Sequence, residues 1–149
     1  MLKKALWIRT PQDIGTVSPE FRKNIYLVSK VKKATAFVSA MGAYELFVNG
    51  KKAGNAVLAP GFTSFANRVL YAEYDITHLV SENTTLSILC GDGWAHHHFG
   101  FSKRIFVPHI SAIAAFLIEY ENGEEEYICT NETWQVYTSE ILFSALYHG

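Results

Sequence analysis

The sequence predicts an all-β fold, a jelly roll or β-sandwich, and three observations carry that reading. Apolar and polar residues alternate along many short segments, whereas helical periodicity hardly occurs. Turn residues separate those segments, twice as the dipeptide Asn-Gly. Aromatic residues reach 14% of the chain, with ten Phe, eight Tyr and three Trp, as a strand-rich core would use them. At 149 residues the chain has the size of one ordinary domain. No linker, repeat or low-complexity tract divides it, so a single β-sandwich domain over residues 1–149 is expected.

The elements follow in chain order. Residues Phe21 to Val28 read as a strand whose apolar side is Phe21, Ile25 and Leu27. Ala34 to Ala40 is a continuous apolar run, hence a buried strand, ending at Gly42. Tyr44 to Val48 runs into Asn49-Gly50, the strongest short hairpin signal, because both central residues of that turn need positive φ. Val69 to Ile76 is a further strand, after which Asp75 or Thr77 could cap a short helical turn over His78-Leu79-Val80. Thr84 to Cys90, rich in β-branched and apolar residues, leads into Gly91-Asp92-Gly93-Trp94. Phe116 to Tyr120 and Glu126 to Thr130 flank Asn122-Gly123 as a second hairpin, and Trp134 to Tyr137 and Glu140 to Phe143 close the set. Two stretches, 54–67 and 91–108, resist strand assignment, and long loops on a rigid sandwich are where binding residues concentrate.

Composition excludes several classes. Hydrophobic residues at 49% and charged residues at 18% exclude a disordered chain. Thirteen basic against fourteen acidic residues leave a net charge of -1, so no positive field exists to hold nucleic acid or an anionic membrane. The longest apolar run, Ile110 to Ile118, is far below the ~20 residues of a membrane helix. The N-terminal stretch meets Arg9 before any signal-peptide core develops. Cys90 and Cys129 both lie in apolar segments and read as buried free thiols. A cytoplasmic location is therefore expected, in which the glycosylation patterns at Asn83 and Asn131 stay idle.

Catalytic sets are harder to assemble. His96-His97-His98 invites a metal, but in an extended chain only His96 and His98 share a side, and neither Asp92 nor His109 completes a ligand spacing. Gly91-Asp92-Gly93 follows a strand, yet no helix pattern and no Lys-Ser/Thr pair succeed it, so it reads as a tight strand-end turn and not a phosphate loop. Cys90 has no basic partner in sequence. Glycoside hydrolysis needs two carboxylates about 5 to 9.5 Å apart. The acids here are spent on the surface of the second hairpin, and Asp92 alone has loop aromatics for company. No Gly-x-Ser-x-Gly elbow exists. Aromatics in the two loops are compatible with sugar stacking, and equally with plugging the end of the sandwich or docking onto another domain. Phe62, Phe65, Trp94, Phe99 and Phe101 offer apolar faces, and Asn55, Asn67, Asp92, His96 and His98 offer polar partners.

The order of motifs resembles the N-terminal β-sandwich domain of bacterial α-L-rhamnosidases, glycoside hydrolase family 78. The matching pieces are Tyr44-Glu45-Leu46-Phe47-Val48-Asn49-Gly50-Lys51, Leu58-Ala59-Pro60-Gly61-Phe62-Thr63 and Arg68-Val69-Leu70-Tyr71. Tyr74-Asp75-Ile76-Thr77, Gly91-Asp92-Gly93-Trp94, Asn122-Gly123 and Thr130-Asn131-Glu132-Thr133-Trp134 continue the series in order. The resemblance implies a galactose-binding-like jelly roll serving as an accessory domain. The hydrolytic carboxylates of that family sit in an (α/α)6 barrel absent from this chain, and Ala145 to Gly149 looks like the segment leading into the next domain. The implied partners are the downstream domains and rhamnose-containing glycosides, with no nucleic acid and no membrane.

Some related domains hold calcium and L-rhamnose with acidic and amide loop residues. Here the loop reads Gly54-Asn55-Ala56-Val57 where acidic residues are common, and loss of carboxylate weakens a hard-cation site, so no cofactor is expected. The carbohydrate-binding candidates are Asn55, Phe62, Asp92, Trp94, His96 and His98, with no catalytic residue among them. Two other readings stand beside this one. A purely structural domain packed on the catalytic barrel predicts an exposed apolar patch, and a self-sufficient metal enzyme would need the histidines.

Overall fold

The computed structural model describes residues 2–12, 14–96 and 107–146. Among the described residues ten strands form two antiparallel sheets. They are β1 (Ile8–Arg9), β2 (Pro19–Tyr26), β3 (Val31–Met41), β4 (Ala43–Val48), β5 (Lys51–Lys52), β6 (Ala72–Asp75), β7 (Asn83–Gly91), β8 (Ser111–Tyr120), β9 (Glu125–Cys129) and β10 (Gln135–Thr138). In sheet 1, β3 lies between β6 and β8, and β1 and β9 share the far side of β8. In sheet 2 the order is β10-β2-β7-β4-β5. Among the described residues no helix is long and apolar enough to cross a membrane.

Period-two alternation decides the inward faces. Phe21, Ile88 and Leu46 stand in one cross-strand row of sheet 2 and are buried. Opposite them sheet 1 presents Ala34, Ala36, Val38 and Ala40 from β3, with Ala112, Ala114, Phe116 and Ile118 from β8. Small residues on one sheet thus receive large ones from the other, which is how two layers reach native packing density. Phe116 stacks on Trp134, with ring centroids 6.1 Å apart and planes at 20°. Trp134 Nε1 in turn donates to the Cys129 carbonyl at 3.1 Å, so the indole is packed and satisfied at once.

The first hairpin turns as its dipeptide demands, with Asn49 at φ 51° and Gly50 at φ 74°. Asn49 also donates through Nδ2 to the Leu79 carbonyl and accepts from the Thr85 amide, tying the turn to the start of β7. The second hairpin is built differently. Glu119 pairs with Glu125, Gly123 N donates to the Tyr120 carbonyl, and Tyr120 N donates to the Glu124 carbonyl. Its loop therefore has three residues, and Asn122 does not take the left-handed conformation that Asn49 takes.

Other expectations need correction. Glu140 to Phe143 is not a strand, because it gives β2's entry only single bonds, from Ser18 N to the Ile141 carbonyl and from Thr16 Oγ1 to the Leu142 carbonyl. The strand placed at Val69 begins at Ala72. By contrast Asp75 does cap a single turn, as expected, with Thr77 N and Oγ1 donating to its Oδ1 and Leu79 N to the Ile76 carbonyl. A short helix, α1 (Gly93–His96), does follow the Gly91-Asp92-Gly93 turn. Both cysteines are free, Cys90 buried and Cys129 only half-buried. Burial pushes the Cys90 thiol well above its ordinary value, which leaves it no nucleophile.

Candidate functional site

Two loop regions meet at one end of the sandwich. The loop 54–67 leaves the short strand β5 and is pinned by an isolated bridge between Tyr44 and Ala59. It carries Phe62, 54% exposed, and Phe65, which is buried. From the end of β7, α1 brings Trp94 to the same place. Phe62 makes T-shaped contacts with both neighbours, 5.8 Å from Phe65 and 6.1 Å from Trp94 between ring centroids, with the planes at 90° and 79°. Such edge-to-face contacts fix the orientation of the rings relative to one another. The tight approach of α1 explains Gly93, because a Cβ there would lie 2.3 Å from the Ala43 nitrogen.

Asp92 and His96 sit four residues apart across the single turn of α1. His96 Nδ1 lies 3.0 Å from Asp92 Oδ1, and His96 Nε2 lies 3.1 Å from the Pro108 carbonyl. Both ring nitrogens face acceptors, so both donate in the imidazolium form. The bond to Asp92 is the main cause that raises the His96 pKa, the Pro108 carbonyl adds to it, and partial burial opposes both. His96 is therefore helical with both ring nitrogens engaged, where the sequence reading places it in an extended loop. It joins the end of β7 in sheet 2 to the segment entering β8 in sheet 1, beside a cavity of about 490 Å³ that Arg9 and His109 also line.

The remaining candidates separate. Asn55 is exposed and has no hydrogen bond to the other candidates among the described residues. His98, with His97, Phe99 and Phe101, lies outside the described residues. Among the described residues no group of three His, Cys, Asp or Glu could hold a metal ion. The loop 54–67 contains no carboxylate, so a calcium ion there would lack counter-charge, and these residues do not fit one. The Pro108 carbonyl as a partner of His96 had no signal in the sequence, since a backbone acceptor leaves none.

Several acids have local structural partners. Glu20 is held below its ordinary value chiefly by the bond from Arg22, and Asp75 by the bonds from Thr77. Glu45 is paired with Lys52, and Glu126 accepts from the Tyr120 hydroxyl.

Comparison with known proteins decides the family. The family described as Alpha-L-rhamnosidase N-terminal domain matches residues 29–149. The chain belongs to this family. An α-L-rhamnosidase of Formosa agariphila is 30% identical over 142 residues, covering 91% of this chain and 15% of that protein. An α-L-rhamnosidase of Streptomyces avermitilis is 30% identical over 122 residues, covering 80% of this chain and 12% of that protein. The chain thus spans only a small part of the length of the curated relatives it matches. Among solved structures, the α-L-rhamnosidase from Aspergillus terreus superposes with a TM-score of 0.92 at 24% identity, over 99% of this chain and 18% of that one. The Streptomyces avermitilis α-L-rhamnosidase complexed with L-rhamnose gives a TM-score of 0.82 at 28% identity, over 85% of this chain and 13% of that one. A lectin from Pleurotus ostreatus shares the fold, with a TM-score of 0.66 at 22% identity over 98% of this chain and 39% of that one.

Proposed function

We propose that this rhamnosidase N-terminal domain is a non-catalytic accessory module that binds terminal L-rhamnosides weakly at the rim where Phe62 meets Trp94. The observation that carries the reading is the partly exposed Phe62 ring, oriented by its near-perpendicular contacts with Phe65 and Trp94, which offers apolar surface to the C–H groups of a sugar. Asp92 directly precedes the short helix that carries Trp94 and His96, so the polar Asp92–His96 pair belongs to the same segment as that indole. The absence of a carboxylate from loop 54–67 makes the binding calcium-independent.

Thermal unfolding of the chain with L-rhamnose, with and without calcium and against glucose, tests this. A ligand of the folded state stabilises it by RT ln(1 + [L]/Kd), so even a millimolar site raises the midpoint at ~100 mM sugar. The expected result is a rhamnose-specific rise, unchanged by calcium and lost in Phe62→Ala. A different outcome, no rise with either sugar, favours a second reading in which the domain only packs against the rest of its enzyme. That reading draws on the consecutive exposed residues Ile141, Leu142 and Phe143, at 42%, 70% and 48% exposure.

A further inference from the structure

We propose that the outer face of sheet 2 carries a second carbohydrate-binding groove, which takes a short stretch of a neutral glycan chain. It goes beyond the rim reading and shares no residue with it. The groove encloses about 720 Å³ over β2, β7 and β4 and is walled by Thr138 at the end of β10 and residues 139–141 after it. This is within the size range of sites that take small ligands.

Register makes the trough. In one cross-strand row Phe47, Ser87, Arg22 and Gln135 stand side by side, and in the next Glu45, Leu89, Glu20 and Tyr137. Ser87 is the small member of its row, flanked by a ring on one side and a guanidinium on the other, so the sheet surface dips there. A third row brings Asn24 opposite Thr85, whose Oγ1 donates to Asn24 Oδ1 at 2.8 Å. Rows on one face lie roughly 7 Å apart, which suits a chain of linked sugar rings better than one monosaccharide.

The polar groups are already arrayed. Arg22 Nε and Nη2 donate to the two oxygens of Glu20 at 2.7 and 2.6 Å, and Ser87 Oγ also donates to Glu20. The Arg22 guanidinium lies over the Tyr137 ring, 4.9 Å from its centroid. A bidentate, stacked arginine loses little freedom when a hydroxyl adds to it.

Charge selects among occupants. Glu20 with Arg22 and Glu45 with Lys52 cancel, and Glu140 at the wall repels polyanions. A protein partner would have to desolvate the Glu20–Arg22 pair at the centre of its interface, where charged residues are depleted. A polyhydroxylated neutral chain keeps that pair hydrogen-bonded while its C–H faces cover Phe47 and Leu89.

The test is amide chemical-shift mapping of the whole chain with linear trisaccharides of glucose, mannose, xylose and galactose, each at ~20 mM, with L-rhamnose marking the rim. At least one trisaccharide is expected to move the amides of Arg22, Phe47 and Ser87, with at least tenfold weaker binding in Arg22→Ala. Arg22 is exposed, so this variant folds, and an unchanged melting midpoint without sugar verifies it. Ser87→Leu, which fills the dip, gives a second and independent loss. Silence on sheet 2 with all four sugars, shifts confined to residues 54–65 and 92–96, undiminished binding in Arg22→Ala, or sheet 2 shifts caused by protein concentration alone each overturns the proposal. Failure of the rim reading shows separately, as an absence of rhamnose shifts at Phe62 and Trp94.

Discussion

In β3 the residues from Ala34 to Ala40 are buried without a break, and in β8 those from Ala112 to Phe116, whereas β4 alternates buried and half-buried at every step. Both sheets turn one face to the shared core, so the difference lies on their outer faces. On sheet 1 the chain covers itself. Phe37 meets Tyr71 at 6.3 Å between centroids, Ser39 Oγ donates to the Leu70 carbonyl at 2.6 Å, and Thr130 Oγ1 ties the Leu6 carbonyl down at 2.7 Å. On sheet 2 the outer face holds charge pairs and a trough. A continuous apolar run in an antiparallel sheet therefore marks the sheet whose outer face is covered by its own chain, and strict alternation marks the one whose outer face stays polar.

The largest expected effect tests the shared core. Phe116→Ala removes a fully buried ring stacked on Trp134 and should cost about 3–5 kcal/mol, a fall of roughly 10 °C in melting midpoint. Calorimetry showing a fall of only a degree or two would break the packing account. Next comes the contrast between the outer faces. Phe37→Ala, at a site 4% exposed, should cost about 3 kcal/mol, while Phe47→Ala on sheet 2 should cost about 1 kcal/mol or less. Equal losses in urea titrations of the two variants would erase the distinction.

A third prediction concerns His96, which bridges the two sheets. Its folded pKa is raised, so its contribution is fully present below the unfolded value of about 6.5 and disappears as pH rises through the folded value. The stability gap between the wild type and His96→Gln should therefore be wide at acid pH and narrow above neutrality. Asp92 is the carboxylate facing the ring, and Arg9 and His109 line the adjoining cavity. A gap that stays constant with pH would show that the ring is held neutral. The smallest effect separates the thiols. Half-buried Cys129 in sheet 1 should react with a thiol reagent in the native protein, and Cys90 only at the rate of unfolding. Simultaneous modification of both would contradict the burial of Cys90.

Much of this was legible in the residues. Runs and alternation placed β2, β3, β4, β7, β8 and β9, and the order of motifs pointed to the family. Strands β1 and β5 escaped because two residues carry no period and form only when a partner strand selects them. Helix α1 escaped for the same reason, since Gly-Trp-Ala-His has neither length nor an apolar face. Glu140 to Phe143 looked like a strand because its residues have strand propensity, but propensity does not supply a ladder. In the site, Phe62 and Trp94 share loops read as functional from the absence of pattern. Their contact depends on where α1 turns, which is a tertiary fact. The sheet 2 trough could not be seen at all, because it depends on Ser87 standing opposite Phe47 and Arg22 in register.

The margins of the sheets carry one more consequence. Sheet 2 ends on one side at β5, two residues long and made of Lys51 and Lys52, and sheet 1 ends at β6 with Glu73 and Asp75 and at β9 with Glu125 and Glu126. A foreign strand seeking to extend either sheet meets a short or charged border instead of a long apolar one. The apolar runs of β3 and β8, which would form cross-β stacks if laid bare, lie inside those borders. The acidic second hairpin is thus a guard against aggregation during synthesis and refolding as well as a solvated turn.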